Sequence, residues 1–235
     1  MIYGAVLAGG RGTRFGTTLP KQFLPLGGKP ILIRSLETFA QAPGLAGVVT
    51  LCPADWVEYT EELVAQYLPD ARIPVLPGGE TRNETLMRAI AWIEETHGLD
   101  EETGIITHDA VRPFVTQEMI AAHIGALETA DATDTVIPAT DTIVVSRDGR
   151  LAEEIPDRET LWQSQTPQSF RAAKLRRFYE SLTDADRARL TDACRIFRMK
   201  GEDVVLLPGA RSNLKITWPG DFEVAEAILR TKALR

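Results

Sequence analysis

Glycine and cationic side chains are concentrated near the amino terminus. An apolar run at 2–8 leads into the sequence LAGGRGTRFG at 7–16, and Pro20-Lys21-Gln22 follows. Glycines let backbone N–H groups turn toward an anion, and Arg11, Arg14 and Lys21 bring positive charge to phosphate oxygens. On a chain with a net charge of −7, this local density of cations indicates a nucleoside triphosphate site. A strand that ends in a flexible basic turn is the alternative.

Two familiar phosphate-binding motifs are excluded. The dinucleotide fingerprint G-x-G-x-x-G requires a third glycine where this chain has Phe15. The P-loop motif G-x-x-x-x-G-K-[ST] occurs nowhere in the sequence.

An acid and a base lie three residues apart at Asp109 and Arg112, directly after an apolar segment. Mg²⁺ prefers oxygen ligands and takes few of them from the protein, so Asp109 is a candidate to hold Mg²⁺ on a triphosphate. Arg112 is a candidate to bind a second phosphate. A local Asp–Arg pair that stiffens the loop before Pro113 explains the same spacing, and we interpret His108 as structural.

Two further polar segments are weaker candidates for a binding site. Gly78-Gly79 and the polar residues at 80–85 open a helix, and helix N-termini attract anions, although simple N-capping is common. Lys215 stands in a short extended segment before Trp218. By itself it reads as an ordinary surface lysine.

These groups fit a reaction that needs no general base. The second pKa of a phosphate monoester is about 6, so its oxygen is already ionised at neutral pH. The obstacle is repulsion between that anion and a triphosphate, which Arg14, Lys21 and Mg²⁺ would neutralise. A convincing catalytic arrangement of His or Ser is absent from the sequence, which agrees with this chemistry.

The elements that position these residues alternate between β-rich and helical patterns, which predicts an α/β fold with a mostly parallel sheet flanked by helices. Predicted strands are 2–8, 46–52, 73–76, 104–107, 134–139 and 203–207. Predicted helices lie near 30–42, 54–68, 82–97, 116–129, 171–181, 191–200 and 220–232. The glycine-rich loop, Gly78-Gly79 and His108-Asp109 each follow a strand, so we expect them to meet at one edge of the sheet.

One segment breaks this alternation. Residues 142–146 and 151–155 flank an Asp148-Gly149 turn and predict a β-hairpin. An isolated two-stranded hairpin is marginal in water. We therefore expect it to pack on a second subunit or, as a flap, on its own domain.

Composition limits the remaining possibilities. The chain has 235 residues, 44% of them hydrophobic, enough for one domain with a substantial core. Its acidic balance argues against a nucleic acid partner. Cys52 and Cys194 lie far apart, which is typical of a reduced cytosolic protein. We find neither a signal peptide nor a membrane span in the sequence and expect a cytoplasmic protein.

Nearly the whole chain, from Ile2 to about Ile228, resembles the cytidylyltransferases that act on polyol phosphates. These comprise the 2-C-methyl-D-erythritol 4-phosphate and the D-ribitol-5-phosphate cytidylyltransferases. The motifs that carry the resemblance are Leu7-Ala8-Gly9-Gly10, Pro20-Lys21-Gln22, Gly78-Gly79, His108-Asp109-Ala110-Val111-Arg112-Pro113, Thr166-Pro167-Gln168 and Asn213-Leu214-Lys215-Ile216-Thr217.

The resemblance implies a Rossmann-like fold of the nucleotide-diphospho-sugar transferase type and a role for each matching residue. Arg14 and Lys21 match the cations that stabilise the transition state at the α-phosphate. Arg158 and Lys215 match residues that position the acceptor phosphate. Asp109 matches the acid beside the metal, and Arg112 and Thr142 match residues near the acceptor. The residues matched to CTP binding are Leu7, Ala8, Gly9, Gly10, Gly79, Glu80, Thr81, Arg82, Asn83, Glu84, Thr85, Leu86 and Ala110.

The resemblance also implies a homodimer. In the family a protruding β-arm exchanges between two subunits and delivers the arginine matched by Arg158 to the neighbouring site. The hairpin predicted around Asp148-Gly149 fits such an arm, at 140–160 of a single domain that spans 1–235.

The two branches of the family differ in their acceptor. Leu7-Ala8-Gly9-Gly10, 165–170 and 190–194 are more similar to the ribitol branch, whose product, CDP-ribitol, feeds teichoic acid or related polymers. Trp162, Ser164 and Trp218 depart from that branch, so methylerythritol phosphate remains the alternative acceptor. A non-catalytic nucleotide-binding regulator on the same fold is a further alternative, against which the presence of both Arg14 and Lys21 argues.

Overall fold

The computed structural model describes residues 1–10 and 19–233 and is built around a seven-stranded sheet. The strands of this part of the chain are β1 (Ile2–Leu7), β2 (Pro25–Leu26), β3 (Lys29–Pro30), β4 (Gly47–Cys52), β5 (Val75–Pro77), β6 (Gly104–Asp109), β7 (Ala132–Pro138), β8 (Trp162–Arg171) and β9 (Val205–Pro208). The helices are α1 (Ile31–Ala40), α2 (Val57–Tyr67), α3 (Arg82–His97), α4 (Gln117–Ala126), α5 (Ala172–Glu180), α6 (Asp184–Arg187), α7 (Cys194–Met199) and α8 (Pro219–Ala233).

The strand order of the large sheet is β5-β4-β1-β6-β8-β7-β9. β8 runs antiparallel to its neighbours β6 and β7, and the other pairs are parallel. The small strands β2 and β3 pair separately. The mostly parallel sheet expected from the alternating pattern is confirmed.

The sheet is covered on both faces. Successive side chains of a strand point to opposite faces, and β1 therefore contributes Tyr3, Ala5 and Leu7 to one core cluster and Val6 to another. Residues of α3, α5 and α7 complete the first cluster, and residues of α1, α2 and α4 complete the second. Each fully buried large apolar side chain contributes roughly 1.5–3 kcal/mol to stability. The two core clusters therefore stabilise the sheet whose edge carries the polar loops.

A third, smaller core cluster lies beneath α8. It consists of Leu26, Ile31, Phe114, Ile216 and Ala225. The backbone N–H of Ile216 also donates to the carbonyl of Val111 at 2.9 Å. The segment that carries Lys215 is thereby attached to the loop that follows β6.

Outside the predicted hairpin, every predicted strand and helix appears, with ends shifted by up to three residues. β8 is an element that the sequence pattern did not predict. Its ten residues read WQSQTPQSFR, which is largely polar and contains Pro167. Proline is normally confined to edge strands or bulges. β8 nevertheless pairs with both neighbours, and a register shift interrupts its ladder with β7 between Asp134 and Val136.

The predicted hairpin is only partly correct. The Asp-Gly turn is present, because the Asp148 carboxylate accepts from the N–H groups of Arg150 and Leu151 and Gly149 has a φ of 71°. The flanking segments 142–146 and 151–155 do not form strands, and a single antiparallel bridge joins Val145 to Glu154. All of 141–150 is exposed, and none of these residues belongs to the three core clusters.

Both cysteines, Cys52 and Cys194, are free and buried. Among the described residues, none of the helices combines the length and the apolar character needed to cross a lipid bilayer.

Candidate active site

A cavity of about 630 Å³ lies where the loops after β1, β5 and β6 meet. Gly9 and Gly10, Gly78 and Gly79, and Asp109 all contribute to its lining. Its volume falls within the range of roughly 300–1,000 Å³ that is typical of small-molecule sites. The convergence of three polar segments at the carboxyl edge of the sheet is confirmed.

Gln22 anchors the first residues of the glycine-rich loop, 8–10, where they line the cavity. Its buried side-chain amide donates to the carbonyl of Ala8 at 2.6 Å and to that of Gly10 at 2.9 Å. Because Lys21 precedes it directly, the same anchor places Lys21 in the lining of the cavity. The sequence motif contained Gln22, but its structural role was not predicted.

The first turn of α3 forms a second side of the cavity. Thr81 and Glu84 make a capping box, in which the Thr81 hydroxyl accepts from the N–H of Glu84 at 3.1 Å and the Glu84 carboxylate accepts from the N–H of Thr81. The N–H of Gly79 donates to the Thr85 hydroxyl at 3.0 Å. A Cβ at Gly79 would lie 2.4 Å from the Cβ of Glu84, so only glycine permits this close approach.

Asp109 is the centre of a charged cluster. Arg82 Nε lies 2.9 Å from one carboxylate oxygen and Lys215 Nζ lies 2.8 Å from the other. Burial alone would raise the pKa of the Asp109 carboxyl, but the positive charges of Arg82 and Lys215 outweigh this effect and hold that pKa well below its ordinary value. Asp109 therefore stays ionised and orients two cations, and these replace the Asp109–Arg112 pair considered from sequence.

His108 supports this cluster from below. Its Nε2 lies 3.0 Å from the carbonyl of Arg112, which can only accept, so Nε2 carries the proton. Its Nδ1 then accepts from the Thr166 hydroxyl at 3.0 Å, and that hydroxyl accepts from the N–H of Asp109. Burial lowers the pKa of His108 to about 4. The imidazole is neutral and structural, as interpreted from sequence.

A second chamber of about 170 Å³ adjoins the main cavity, since Arg82, Asp109 and Lys215 line both. Arg112 lines this smaller chamber, and its guanidinium donates to the carbonyl of Asn213 at 2.8 Å. The remaining lining residues are Ser164, Gln165, Thr166, Gln168, Thr191 and Asp192. None of these six was among the predicted site residues, although the sequence analysis noted Ser164 as a departure on the acceptor side and Thr166 and Gln168 as part of a family motif. Four of the six belong to the unpredicted β8.

The structure brings most of the predicted site residues together. Those that line the main cavity are Leu7, Ala8, Gly9, Gly10, Lys21, Gly79, Glu80, Thr81, Arg82, Thr85, Asp109 and Lys215. Further lining residues that the sequence analysis did not select include Pro53, Ala54, Arg88, Val111 and Thr217. Arg14 lies outside the described residues.

Six predicted residues line neither chamber within the described part of the chain: Asn83, Glu84, Leu86, Ala110, Thr142 and Arg158. Leu86 and Ala110 are buried in the two core clusters. Thr142 and Arg158 are exposed, and Arg158 donates to the carbonyl of Thr140 at 3.1 Å. Their roles at a binding site remain predictions from the resemblance.

The donor set limits how a metal ion can be held. Over the ranges 1–10 and 19–233, three or more Asp, Glu, His or Cys side chains nowhere cluster as metal ligands. Mg²⁺ in triphosphate sites is usually bound through one or two carboxylates, with phosphate and water oxygens completing the shell. Asp109, an ionised carboxylate in the lining of both chambers, fits the part of a single protein ligand.

Comparison with known proteins identifies the family. The model of the family described as 2-C-methyl-D-erythritol 4-phosphate cytidylyltransferase (IspD) matches residues 2–231. The chain is 43% identical to a ribitol-5-phosphate cytidylyltransferase of Lactiplantibacillus plantarum, over 99% of this chain and 100% of that protein. It is 45% identical to the ribitol-5-phosphate cytidylyltransferase of Streptococcus pneumoniae, over 97% of this chain and 99% of that protein.

Solved structures agree with this assignment. The 4-diphosphocytidyl-2C-methyl-D-erythritol synthase of Anaerococcus prevotii superposes with a TM-score of 0.79 at 26% identity, covering 97% of this chain and 96% of that one. The 2-C-methyl-D-erythritol 4-phosphate cytidylyltransferase of Thermus thermophilus superposes with a TM-score of 0.74 at 27% identity, covering 98% and 100%. The chain therefore belongs to the 2-C-methyl-D-erythritol 4-phosphate cytidylyltransferase (IspD) family.

Proposed function

We propose that this chain transfers CMP from CTP to D-ribitol 5-phosphate and releases CDP-ribitol and pyrophosphate. The observation that carries the proposal is the charged group Arg82, Asp109 and Lys215, which lines both a nucleotide-sized cavity and a smaller polar chamber. The relatives named ribitol-5-phosphate cytidylyltransferase are 43–45% identical to this chain, whereas the solved methylerythritol enzymes described above are 26–27% identical. These values favour ribitol 5-phosphate as the acceptor.

The proposed chemistry is an attack by one phosphate on another. An ionised oxygen of the acceptor phosphate forms a bond to the α-phosphorus of CTP, and the bond from that phosphorus to the bridging oxygen of the leaving pyrophosphate breaks. No proton has to be removed from the acceptor oxygen, because a phosphate monoester is already ionised at neutral pH. Lys21 and Arg14 would stabilise the charge at the α-phosphate. Lys215 and Arg158 would position the acceptor phosphate, and Arg112 would lie near the acceptor.

We propose Mg²⁺ as the metal, with Asp109 as its protein ligand. When bound, the ion would neutralise charge on the triphosphate and on the leaving pyrophosphate. Asp109 has a second task that does not depend on metal, because its carboxylate orients Arg82 and Lys215. Both tasks require the carboxylate to be ionised, as its low pKa ensures.

We also propose a homodimer in which the arm at 140–160 reaches the neighbouring subunit. Ile143, Val144, Leu151 and Ile155 of the arm are between 38% and 70% exposed. Contiguous exposed apolar side chains commonly mark interaction surfaces. Arg158, at the end of the arm, lines neither chamber of its own subunit in the described structure, which agrees with a role in the site of a partner.

The product would be consumed by an enzyme that transfers ribitol phosphate to a growing polymer such as teichoic acid. A cytoplasmic location fits the use of CTP and the two free, buried cysteines.

The test is pyrophosphate release from CTP with D-ribitol 5-phosphate, with 2-C-methyl-D-erythritol 4-phosphate and without an acceptor. We expect rapid release with ribitol 5-phosphate and a kcat/KM at least tenfold higher than with methylerythritol phosphate, a difference of about 1.4 kcal/mol. The reverse preference would assign the chain to the methylerythritol branch of the family. CTP binding without release on any acceptor would indicate a nucleotide-binding regulator.

A further inference from the structure

The strand β8 departs from its ladder with β7 at one place. A single β7 residue, Thr135, lies opposite three β8 residues, because the pairs on either side of it involve Gln168 and Ser164. We call these three residues, 165–167, the β8 bulge. Its first two residues line the smaller chamber. Bulges are common next to active sites, where they change the direction of side chains, so the conformation of this bulge determines part of the chamber wall.

The β8 bulge is connected to the charged cluster. The Thr166 hydroxyl accepts from the N–H of Asp109 at 3.1 Å and lies 3.0 Å from His108 Nδ1. The side-chain amide of Asn213 donates to the carbonyl of Thr166 at 2.8 Å. A displaced bulge would remove the acceptor of the Asp109 N–H. Because the Asp109 carboxylate orients two cations, the position of the bulge also bears on those cations.

A buried histidine holds the last residue of the bulge. His123 on α4 is 1% exposed, and its Nε2 lies 2.7 Å from the Thr135 hydroxyl. That hydroxyl donates to the carbonyl of Pro167 at 2.7 Å. Because a carbonyl can only accept, Thr135 uses its single proton on Pro167 and accepts from His123. The imidazole proton is therefore on Nε2.

The other imidazole nitrogen is paired as well. His123 Nδ1 lies 2.6 Å from the Thr133 hydroxyl and 3.0 Å from the Ser169 hydroxyl, and these two hydroxyl groups contact each other. Burial lowers the pKa of His123 to about 3, so the ring is neutral at physiological pH and Nδ1 accepts. The hydrogen bonds thus run in one direction, from the two hydroxyl groups through the ring to the carbonyl of Pro167.

Packing alone does not require this network. Ile120, about one turn earlier on α4, fills the core with a fully buried apolar side chain. A buried imidazole has a desolvation cost that an apolar side chain avoids, whereas a fully paired polar network fixes one orientation of the groups that it joins. The network of His123 ends at a carbonyl of the β8 bulge. The group that it fixes is therefore part of the chamber wall.

We propose that His123 and Thr135 are positioning residues for the acceptor: His123 orients the Thr135 hydroxyl, and Thr135 holds the β8 bulge in place. Neither residue lines a chamber in the described structure, so both act through the bulge. The inference rests on the proposed function, because it concerns the acceptor of that reaction. It gives a role to a buried histidine that the transfer of CMP does not itself use.

The first experiment measures the kinetic constants of Thr135→Val, which keeps the shape of the side chain and removes its hydroxyl group. We expect the KM for ribitol 5-phosphate to rise about tenfold, the effect of a lost buried hydrogen bond. The KM for CTP should not change, because the bulge does not line the larger cavity. Thr135→Ser restores the hydroxyl group and should restore the acceptor KM.

Variants of His123 test the other half of the pair. A glutamine amide can donate to the Thr135 hydroxyl, whereas leucine cannot. We expect the acceptor KM to rise in His123→Leu and to stay near that of the unaltered enzyme in His123→Gln. The double variant His123→Leu/Thr135→Val should have the acceptor KM of Thr135→Val alone, because residues that act through one contact are not additive. Two increases that multiply would contradict the proposed order of action.

Thr50→Val is the matched control. The Thr50 hydroxyl is fully buried in β4 and donates to the carbonyl of Val6 at 3.0 Å, and Thr50 lines neither chamber in the described structure. Its loss removes the same kind of hydrogen bond and should leave the acceptor KM unchanged. An acceptor KM raised equally in Thr50→Val and Thr135→Val would mean general destabilisation and would overturn the inference.

Nitrogen-15 nuclear magnetic resonance of the imidazole rings tests the direction of the network without turnover. The chain has three histidines, so their ring signals can be assigned by substitution. We expect a neutral His123 with its proton on Nε2. A proton on Nδ1, or an unchanged acceptor KM in Thr135→Val, would overturn the inference and leave the proposed function intact. Absence of turnover by the unaltered enzyme with every polyol phosphate would contradict the proposed function, and the inference with it.

Discussion

At the scale of single residues, the site depends on one carboxylate that holds two cations in fixed positions. Arg82 and Lys215 come from distant parts of the chain, and Asp109 contacts both at 2.9 Å or less. Preorganised charges of this kind stabilise a transition state without a further cost of reorganisation. We therefore expect the rate enhancement to come from fixed positive groups and not from an acid–base pair.

The first prediction concerns Lys21. We expect Lys21→Met to lower kcat by about 100- to 1,000-fold, as removal of one charge-stabilising donor does in other enzymes, with a much smaller effect on CTP affinity. The measurement is steady-state pyrophosphate release together with CTP binding by calorimetry. Lys200→Met, at an exposed lysine far along the sequence, is the control. An unaltered kcat in Lys21→Met would remove Lys21 from the transition state.

At the scale of elements, the sequence predicted the strands that carry the larger cavity but not the strand that completes the smaller chamber. β1 and β6 are apolar runs followed by polar loops, so Gly9, Gly10 and Asp109 could be placed at one edge of the sheet. β8 is polar and contains Pro167, and its burial comes from tertiary contacts that a local pattern does not contain. Ser164 and Gln168 were consequently noted as features of the sequence but not selected as site residues.

The first residue of α3 was predicted correctly. The motif alone, however, does not show which residues of its first turns cap the helix, pack in the core or line the cavity. Glu84 closes the capping box and Leu86 packs in the core, whereas Arg82 and Thr85 line the cavity. A helical period of 3.6 residues separates these faces. Only the orientation of the helix against the sheet decides which face meets the ligand.

The second prediction concerns the loop before this helix. In Gly79→Ala, the added Cβ would lie 2.4 Å from the Cβ of Glu84, and the loop must move away. We expect a loss of about 1–3 kcal/mol in the free energy of unfolding and a raised KM for CTP. Gly125→Ala is the control, since a Cβ at that glycine meets nothing within 4 Å. Equal CTP kinetics in both variants would show that the loop does not position the nucleotide.

The third prediction concerns the buried His123 on α4. Its Nε2 lies 2.7 Å from the Thr135 hydroxyl, and burial lowers its pKa to about 3. The unfolded chain, with an ordinary histidine pKa of about 6.5, binds a proton that the folded protein does not. Stability is therefore full above pH 6.5 and decreases as the pH falls, by about 2 kcal/mol between pH 7 and pH 5 from this residue.

Urea unfolding at the two pH values measures this effect. We expect the loss of stability between pH 7 and pH 5 to be smaller in His123→Gln than in the unaltered protein by about 2 kcal/mol. His97→Gln, at an exposed histidine, should retain the full loss. An identical pH dependence in His123→Gln would mean that His123 does not remain neutral in the folded protein.

At the scale of the whole molecule, one chain forms both chambers, whereas the arm at 140–160 is the part that we propose contacts a second subunit. The sheet, both chambers and the cations that line them lie within one subunit, whereas 141–150 is exposed throughout. The sequence indicated the turn at Asp148-Gly149 correctly. The strands predicted on either side of the turn do not form, and in the described structure a single bridge joins these exposed flanks.

The fourth prediction follows from the proposed exchange of arms. Arg158→Ala and Lys215→Ala should each be nearly inactive as pure proteins. In a heterodimer of the two, one of the two sites would combine an intact Lys215 with an intact Arg158 from the neighbour. We expect turnover to reappear when purified heterodimers are assayed. Heterodimers as inactive as their parents would show that the sites are not shared.

The most direct test of the account follows the atoms of the acceptor. Ribitol 5-phosphate labelled with oxygen-18 in its phosphate group is incubated with CTP, Mg²⁺ and the enzyme, and the products are examined by mass spectrometry and ³¹P nuclear magnetic resonance. We expect CDP-ribitol to retain the whole label, including the oxygen that bridges its two phosphorus atoms, and pyrophosphate to contain none. Label in pyrophosphate, or the absence of labelled CDP-ribitol, would contradict the proposed mechanism.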